Sequence, residues 1–274
     1  MKFTIFTPTF NRAHLLPRLF ESITQLDFND FEWVIVDDGS TDETKKVVSE
    51  FISNSSFPIR YFEQENQGKH AATNLGVEHA EGDFFFIVDS DDWLPAEALS
   101  VALRYTERIQ SSEIAGIVGK RSFGDTMHDF PFTERVSTPL EMRYRFKNNF
   151  DLAEIYKTEV LKEFPFPVFS GEKFITESLV WFRIASKYQL LYFNEFIYHC
   201  EYQADGLTDN YRELMETNPK GSLLYFGELL RNRIPADAKK TAARNFNSIA
   251  RLNGHSQIWV LWKLGFRNYL RIFS

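Results

Sequence analysis

Three carboxylates stand within four residues at Asp89-Ser90-Asp91-Asp92, directly after the apolar run Phe84–Val88. Their mutual repulsion would be unfavourable unless a cation or strong hydrogen bonds compensated it. A small set of oxygen ligands suits Mg²⁺ or Mn²⁺, because these ions often keep water and substrate phosphate in their coordination shells. Asp89 and Asp91 are therefore candidate metal ligands. The alternative is that Asp91 and Asp92 cap a helix that begins near Pro95.

A second acidic pair, Asp37 and Asp38, follows the apolar run Phe31–Val36 and precedes Gly39-Ser40. A carboxylate at this position could accept a hydrogen bond from the imide N–H of a pyrimidine base. The alternative is a strand-to-helix turn in which an Asp caps backbone N–H groups and Gly39 supplies an unusual φ. The two interpretations are compatible.

The segment Asn66-Gln67-Gly68-Lys69-His70 precedes a predicted helix. Its backbone N–H groups and Lys69 could meet an anion at the helix N-terminus. The segment lacks the full spacing of a P-loop, so a turn with a solvated lysine is the alternative.

A hydroxyl that attacks a carbon centre near neutral pH needs a carboxylate or a histidine to take its proton. Glu172 and Glu177 flank the start of a predicted helix that contains Leu179, Val180 and Phe182. Either acid could be such a base. The alternative for Glu177 is a first-turn acid that the helix dipole favours.

The elements that must position these residues alternate over the first 120 residues. Short apolar runs predict strands, and apolar residues at helical spacing predict the helices between them. A capping-box spacing of Ser40 and Glu43 predicts the start of the second helix. Repeated strand–helix–strand units imply an α/β fold with a mostly parallel sheet, which binds ligands at the carboxyl ends of its strands. The predicted strands are Phe3–Thr7, Phe31–Val36, Ile59–Phe62, Phe84–Val88 and Ile114–Gly119.

Thr7, Asp37, Asp38, Asp89 and Asp91 are accordingly predicted to converge on one edge of this sheet. The pattern after residue 120 is less regular, with helices expected near 138–147, 158–163 and 176–187. Short strands are expected at Asp151–Tyr156 and Leu190–Phe193. We expect this half to pack against the first and to form the other side of a cleft.

Composition and charge restrict the class of protein. The 274 residues are 43% hydrophobic, and the only cysteine, Cys200, has no disulfide partner, so a reducing cytoplasmic setting is expected. Residues 231–274 carry nine Lys/Arg and one Asp, so the rest of the chain is strongly acidic within a net charge of −7. An acidic body argues against nucleic acid as a partner. No run of about 20 apolar residues predicts a membrane-spanning helix.

The basic tail is also rich in aromatic residues, among them Trp259, Trp262 and Phe266. Such a segment could lie on an anionic membrane surface through residues 255–274. The alternative is a C-terminal helix packed on the body or on another subunit.

Four segments together resemble the family 2 glycosyltransferases: Thr7-Pro8-Thr9-Phe10-Asn11-Arg12, Val36–Asp42, Asn66-Gln67-Gly68 with Ala72 and Asn74, and Asp89–Asp92. The resemblance covers residues 1–115 and extends less strictly through Glu172–Arg183 and Asp205–Thr208. It implies the GT-A fold, which is a Rossmann-like sheet flanked by helices, here with a helical C-terminal extension. It also implies a nucleotide-sugar donor, a Mn²⁺ or Mg²⁺ cofactor, and inversion at the anomeric carbon.

The resemblance implies roles by position. Thr7 and Asp38 match residues that contact the nucleoside, and Asp89 and Asp91 match the DxD pair, whose second Asp usually contacts the metal. Lys69 would lie near the donor. The implied donor site comprises Thr7, Pro8, Thr9, Asn11, Arg12, Asp38, Gly68, Lys69, Asn74, Asp89 and Ser90.

Many members of the family have a Glu-Asp pair followed six residues later by Arg, and here Thr176-Glu177 and Arg183 occupy those places. The resemblance therefore implies Glu177 as the general base. Because Glu replaces Asp and Thr replaces Glu, Glu172 stays an alternative base. The histidine of many relatives is not matched at Tyr202-Gln203, which leaves His199 as a candidate metal ligand.

Members similar to this chain transfer a hexosyl or N-acetylhexosaminyl group, most commonly from a UDP-sugar, to a saccharide or lipid-linked saccharide in the synthesis of bacterial surface polymers. The resemblance implies a nucleotide-sugar-binding half at 1–120, an acceptor-binding half at 121–225 and a basic helical tail at 226–274. A cytoplasmic location, peripheral at the inner face of the membrane, and a homo-oligomer fit this interpretation. The alternative is a catalytically silent nucleotide-sugar-binding or scaffold protein of the same fold.

Overall fold

The computed structural model describes residues 1–124, 126–148, 150–201 and 210–273. Strands and helices alternate through the first half, as predicted. The strands are β1 Phe3–Thr9, β2 Phe31–Asp37, β3 Ile59–Glu63, β4 Phe84–Ile87, β5 Ile114–Phe123, β6 Thr126–Met127, β7 Glu134–Ser137, β8 Leu152–Lys157 and β9 Gln189–Cys200. The helices are α1 Leu16–Thr24, α2 Thr44–Asn54, α3 Lys69–His79, α4 Ala98–Thr106, α5 Pro139–Tyr144, α6 Thr158–Glu163, α7 Ser178–Ile184, α8 Tyr211–Thr217, α9 Pro219–Leu229, α10 Ala236–Leu252 and α11 Gln257–Leu270.

One sheet runs through both halves of the described chain, in the order β3-β2-β1-β4-β8-β5-β9-β7, with β6 paired to β5. The four strands from β3 to β4 are parallel, as the alternating pattern predicts. Beyond β4 the sheet is mixed, because β8 lies antiparallel between β4 and β5. Sequence order alone did not predict that a later strand would lie between them.

The central strands β1, β2 and β4 are buried on both faces, which explains their nearly continuous apolar sequences. Alternate side chains enter two separate cores: Phe3 and Ile5 belong to the core shared with α1 and α4, and Phe6 belongs to the core shared with α3 and α7. The strand ends are therefore supported from both sides of the sheet.

The second helix begins without the predicted capping box. The hydroxyl of Ser40 instead accepts a hydrogen bond from the backbone N–H of Asn11 at 2.8 Å. Glu43 is at the N-cap and makes no side-chain capping hydrogen bond. The start of the helix is held instead by the preceding Asp42, whose Oδ1 accepts the backbone N–H of Thr44 at 3.1 Å and the hydroxyl of Thr44 at 2.5 Å. Ser40 is thus used to join two loops at the carboxyl edge of the sheet.

Strand β9 is longer than the predicted Leu190–Phe193 and ends at Cys200. Its pairing with β5 is interrupted by register shifts, which accommodate the polar residues Asn194 and Glu195. The predicted strand ended at Phe193 because these two polar residues follow it. The last helices form a helical extension in which α9 packs on α7, α8 and α10 pack on α9, and α11 packs on α10. Across the described ranges, no helix combines the length and apolar character needed to cross a bilayer.

Candidate active site

The carboxyl ends of β1, β2 and β4 meet at one edge of the sheet. Thr9 pairs in register with Asp37, and the backbone N–H of Asp38 donates to the carbonyl of Thr9 at 2.8 Å. On the other side of β1, the backbone N–H of Val88 donates to the carbonyl of Phe6 at 2.8 Å. The acidic residues at the ends of β2 and β4 therefore emerge on either side of β1, and they converge on one edge of the sheet as the sequence predicts.

Lys69 joins two acids that lie far apart in the chain. Its Nζ lies 2.6 Å from Oδ1 of Asp89 and 2.9 Å from Oε1 of Glu177. Burial opposes the positive charge of Lys69, but the two adjacent carboxylates outweigh it and raise the pKa of the ammonium. The structure thus brings the candidate base beside the first of the candidate metal-binding carboxylates.

A second cation, Arg121 on β5, also acts on Asp89. Its guanidinium lies 4.1 Å from the ring centroid of Tyr198, and its Nη2 lies 3.9 Å from Oε2 of Glu154. Burial alone would raise the pKa of Asp89, but the charges of Lys69 and Arg121 outweigh it, so the pKa of Asp89 is lowered. Arg121 was not among the site residues predicted from the sequence. The available signal was a charged residue within a strand that is otherwise mostly buried.

Asp91 and Asp92 have different environments. Burial is the largest cause that raises the pKa of Asp91, and repulsion from Asp89 raises it further. The charge of Arg12 opposes this shift. The carboxylate of Asp92 accepts the hydroxyl of Tyr198 at 2.7 Å and the backbone N–H of Glu201 at 3.3 Å. Asp92 therefore anchors the end of β9 and does not cap α4.

A divalent cation fits the pair Asp89 and Asp91 by its chemistry. A cation would relieve the repulsion that, together with burial, raises the pKa of Asp91. The described residues contain no group of three or more His, Cys, Asp or Glu side chains arranged to hold a metal ion. Two carboxylates would leave the remaining coordination positions to water and substrate phosphate, which is the usual behaviour of Mg²⁺.

His199, the third candidate metal ligand, is held by other contacts. Its ring stacks on Trp93 with centroids 5.1 Å apart, and its Nδ1 lies 3.0 Å from the hydroxyl of Ser122. Burial lowers its pKa. The guanidinium of Arg18 lies 4.1 Å from the Trp93 ring and also contacts the backbone carbonyl of Asp91. His199 therefore supports the Asp91 loop through Trp93, and no three-residue metal group within the described ranges includes it.

Asp38 organises the loop before α3. Its Oδ1 accepts the backbone N–H of Gln67 at 2.8 Å and its Oδ2 accepts that of Gly68 at 2.7 Å. The neighbouring Asp37 accepts the backbone N–H of Ser40 at 2.7 Å. Gly39 has φ +82°, so the predicted turn and its conformation are confirmed. These contacts show how the loop is built, and recognition of a base by Asp38 stays a prediction.

Comparison with known sequences decides the family to which this chain belongs. The profile of the family described as Glycosyl transferase family 2 matches residues 4–158, a stretch that runs from β1 through β8 and covers more than half of the chain. The chain belongs to this family.

Several curated relatives are named as bacterial transferases. The poly(ribitol-phosphate) beta-N-acetylglucosaminyltransferase TarS of Staphylococcus aureus is 29% identical over 165 residues, which are 60% of this chain and 29% of TarS. The GalNAc(5)-diNAcBac-PP-undecaprenol beta-1,3-glucosyltransferase of Campylobacter jejuni is 38% identical over 105 residues, which are 38% of this chain and 34% of that protein. The chain therefore spans about a third or less of the length of these relatives.

Solved structures confirm the expected α/β GT-A fold. The crystal structure of S. aureus TarS 1-349 in complex with UDP-GlcNAc has a TM-score of 0.63 at 20% identity, covering 99% of this chain and 78% of that one. A mannosyltransferase, PcManGT from Pyrobaculum calidifontis in complex with GDP-Man and Mn²⁺, has a TM-score of 0.59 at 19% identity, covering 98% and 73%. At these identities the likeness concerns the fold alone.

Several residues that the family 2 resemblance places in the donor site have side chains engaged elsewhere. The hydroxyl of Thr7 is buried and accepts the indole N–H of Trp33 at 2.9 Å. Asn74 forms two hydrogen bonds of 2.8 Å with the backbone of Phe166 and so ties α3 to the chain after α6. Asn11, with φ +53°, accepts the backbone N–H of Thr41 at 2.8 Å. These three residues support the walls of the site.

Other members of the predicted donor set lie close to the edge itself. Pro8 belongs to β1, and Ser90 is buried between the two candidate metal ligands. The hydroxyl of Thr9 and both ring nitrogens of His70 are buried without a hydrogen-bond partner among the described residues. Burial lowers the pKa of His70, and the charge of Asp38 opposes this shift. His70 was not among the site residues predicted from the sequence.

Glu172, the alternative base, has a different set of partners from Glu177. Its Oε1 accepts the backbone N–H of Lys220 at 2.8 Å and its Oε2 accepts that of Gly221 at 2.9 Å. Both oxygens are therefore engaged at the N-terminus of α9. Arg183, which the resemblance pairs with Glu177, forms a two-pronged ion pair with Glu228 on α9 at 2.7 and 2.9 Å. The segments Tyr202-Gln203 and Asp205–Thr208 lie outside the described residues.

Proposed function

We propose that this family 2 member transfers a sugar from a UDP-sugar to a hydroxyl of a saccharide or lipid-linked saccharide, with inversion at the anomeric carbon. The observation that carries the proposal is the bridge from Lys69 to Asp89 and Glu177. Through this bridge, Glu177, which we propose as the base, lies next to Asp89, which we propose would face the donor. Such proximity is what a single displacement requires.

On the donor side, Asp91 with Asp89 would hold Mn²⁺ or Mg²⁺. When bound, the cation would neutralise charge that develops on the departing diphosphate. Arg12 acts electrostatically on Asp91 and would add positive charge on the same side. Asp38 would keep the Gln67–Gly68 turn rigid through its two backbone hydrogen bonds, so that the nucleoside meets a preformed surface.

On the acceptor side, Glu177 would accept the proton of the attacking hydroxyl. The acceptor oxygen forms a bond to the anomeric carbon while the bond from that carbon to the phosphate oxygen breaks, and the nucleoside diphosphate leaves. The ammonium of Lys69, 2.9 Å from Oε1 of Glu177, keeps this carboxylate oriented. No covalent enzyme intermediate is needed. We assign the base to Glu177 and not to Glu172, because both oxygens of Glu172 are engaged by α9.

The substrate class is supported by the relatives. The TarS structure contains UDP-GlcNAc, and the related C. jejuni transferase is named for an undecaprenol-linked saccharide. We propose an equivalent place for this chain in the synthesis of a bacterial cell-surface polymer.

Donor binding tests the proposal. Titration calorimetry would compare UDP-, GDP- and dTDP-sugars in Mn²⁺ or EDTA, for the wild type, Asp91→Asn and the control Asp129→Asn. Asp129 is an exposed acid that pairs with Lys120. We expect UDP-sugar binding that requires Mn²⁺ and is lost only in Asp91→Asn. Absence of binding to every donor would overturn the proposed function, whereas selective binding of a GDP-sugar would overturn the donor assignment alone.

A further inference from the structure

Five large apolar side chains near the C-terminus face solvent. Ile258 is 79% exposed, Trp262 73%, Phe266 70%, Leu270 49% and Phe273 68%. The other exposed large apolar side chains in the described part of the chain are at most 46% exposed, with the exception of Leu252 at 64%. Exposed apolar groups gathered in one short segment commonly mark an interaction surface. We name the segment of residues 258–273 the tail surface.

The tail surface is held in place by its inner side. Val260 and Leu264 are buried against the body. The ring of Trp259 stacks with that of Phe246 on α10 at a centroid distance of 6.0 Å. Gln257 donates to Asn247 on α10 at 3.0 Å. The backbone is not helical at Gly265, which has φ +71°, so the outward side chains lie on two segments joined by a kink. The second segment is also held, because the hydroxyl of Tyr269 donates to Gln257 at 3.1 Å and Arg244 on α10 donates to the carbonyl of Ile272 at 3.2 Å. Fraying of the chain end therefore does not account for the exposed side chains.

Basic side chains accompany the apolar ones. Lys263, Arg267 and Arg271 belong to the tail surface, and Nζ of Lys263 lies 4.7 Å from the ring centroid of Trp262. Burial is the largest cause that lowers the pKa of Lys239 on α10, and the charges of Arg271 and Arg267 lower it further. Lys239 therefore lies close enough to Arg267 and Arg271 for their positive charges to oppose its own. These three cations sit within residues 231–274, which hold nine Lys/Arg and one Asp.

Because exposed apolar side chains and basic side chains occur together in this segment, we propose that the tail surface binds an anionic phospholipid bilayer. The apolar side chains would enter the headgroup and acyl boundary, and the cations would meet lipid phosphates. Trp262 suits this boundary because its ring is apolar over most of its area and carries one polar N–H.

A second copy of the chain is a less suitable occupant. A two-fold interface places the same surface on both sides. The cluster of Lys239, Arg267 and Arg271 would then face or flank its own copy, with like charges opposed. An anionic bilayer removes this conflict, because it offers apolar depth and negative charge together.

The inference goes beyond the proposed function and does not depend on it. If the acceptor is lipid-linked, the tail surface would also keep the active site close to a substrate that is confined to the bilayer.

Vesicle flotation of the full chain, without donor or metal, tests the inference. The vesicles would be phosphatidylcholine alone or phosphatidylcholine with one third phosphatidylglycerol. An apolar variant, Trp262→Ser with Phe266→Ser, and a charge variant, Lys239→Gln with Arg267→Gln, would be compared with the wild type. The matched control is Ile52→Ser with Lys46→Gln, which removes one exposed apolar and one exposed basic side chain from α2. Thermal unfolding would confirm that each variant is folded.

We expect the wild type and the control to float with phosphatidylglycerol vesicles, and each tail variant to bind at least about tenfold more weakly. High salt should weaken the wild type more than the charge variant. Failure of the wild type to bind, or equal binding by the tail variants, would overturn the inference. Concentration-dependent self-association that the apolar variant abolishes, without vesicle binding, would overturn it in favour of a second copy. Since no donor is present, these outcomes do not depend on whether the donor assignment is correct.

Discussion

The ammonium of Lys69 lies 2.9 Å from a carboxylate oxygen of Glu177, and this ion pair connects the start of α3 to the start of α7. The same ammonium contacts Asp89 at 2.6 Å. One lysine therefore sets the separation between the donor side and the acceptor side of the proposed site. Its loss would leave two carboxylates facing each other in a partly buried position.

Lys69→Met should lower kcat/KM for sugar transfer by about 10–100-fold, because the base loses its orientation and Asp89 loses a compensating charge. Lys69→Arg should restore part of the activity, since it keeps the charge. Steady-state kinetics of both variants would be compared with Lys187→Met, which removes an exposed lysine that pairs with Glu163. Unchanged kinetics in Lys69→Met would contradict the proposed role.

Glu177→Gln should lower kcat by about 10²–10⁴-fold while donor affinity is kept, because the amide cannot take the acceptor proton. Transfer assays and donor calorimetry on the same preparation would separate the two effects. A variant that retains transfer would show that another acid is the base. A wild type that binds donor but transfers to no acceptor would instead favour the catalytically silent alternative.

Glu172→Gln should affect stability more than catalysis. The amide can accept only one of the two backbone N–H groups at the start of α9 and places its own NH₂ against the other, which should cost about 1–3 kcal/mol of unfolding free energy. Urea denaturation would measure this loss, and kcat per folded molecule should stay close to the wild-type value. A large fall in kcat with unchanged stability would make Glu172 the base.

Glu154 should make the stability depend on pH. Burial raises its pKa from 4.5 to about 8, although Arg121 opposes the shift. Between these values the folded state keeps a proton that the unfolded state has lost, so the contribution of this group to stability falls as pH rises through that window.

Glu154→Gln mimics the protonated acid and should remove this dependence. Thermal unfolding near pH 5 and near pH 8 should show the variant gaining relative to the wild type at the higher pH by about 1 kcal/mol or more. Glu159→Gln, an exposed acid on α6, is the control. A constant difference between variant and wild type across this range would refute the assignment.

Alanine substitutions at Gly68 and Gly171 should distinguish the cost of a positive φ from the cost of a steric overlap. Both have positive φ, +93° and +83°, but a Cβ on Gly68 would overlap the backbone carbonyl of Lys173, whereas a Cβ on Gly171 meets nothing within 4 Å. We expect Gly171→Ala to cost about 1 kcal/mol of unfolding free energy for its backbone conformation. Gly68→Ala should cost about 1–3 kcal/mol more, because the chain must move. Equal costs in urea denaturation would show that this close approach is not required.

Much of the secondary structure in the first half of the chain could be predicted from the local pattern of apolar residues. The runs Phe3–Thr7 and Phe31–Val36 are apolar because both faces of the sheet are covered, and both predicted strands are present. The carboxylates after these runs were expected at the strand ends, and parallel pairing of β1 with β2 and β4 brings those ends together. Periodicity reports burial along the chain, which is why it succeeded here.

Contacts between side chains that are far apart in the sequence could not be predicted from the local sequence pattern. The sequence by itself determined an α/β chain with acids at the ends of neighbouring strands and two glutamates near the start of one later helix. Only the tertiary structure decided that β8 lies between β4 and β5 and that the charge of Arg121 acts on Asp89. It also decided that Lys69 contacts Glu177 while Glu172 binds the start of α9. The physical reason is that a charged side chain takes its role from the groups that packing brings within a few ångströms, and spacing along the sequence does not contain that information.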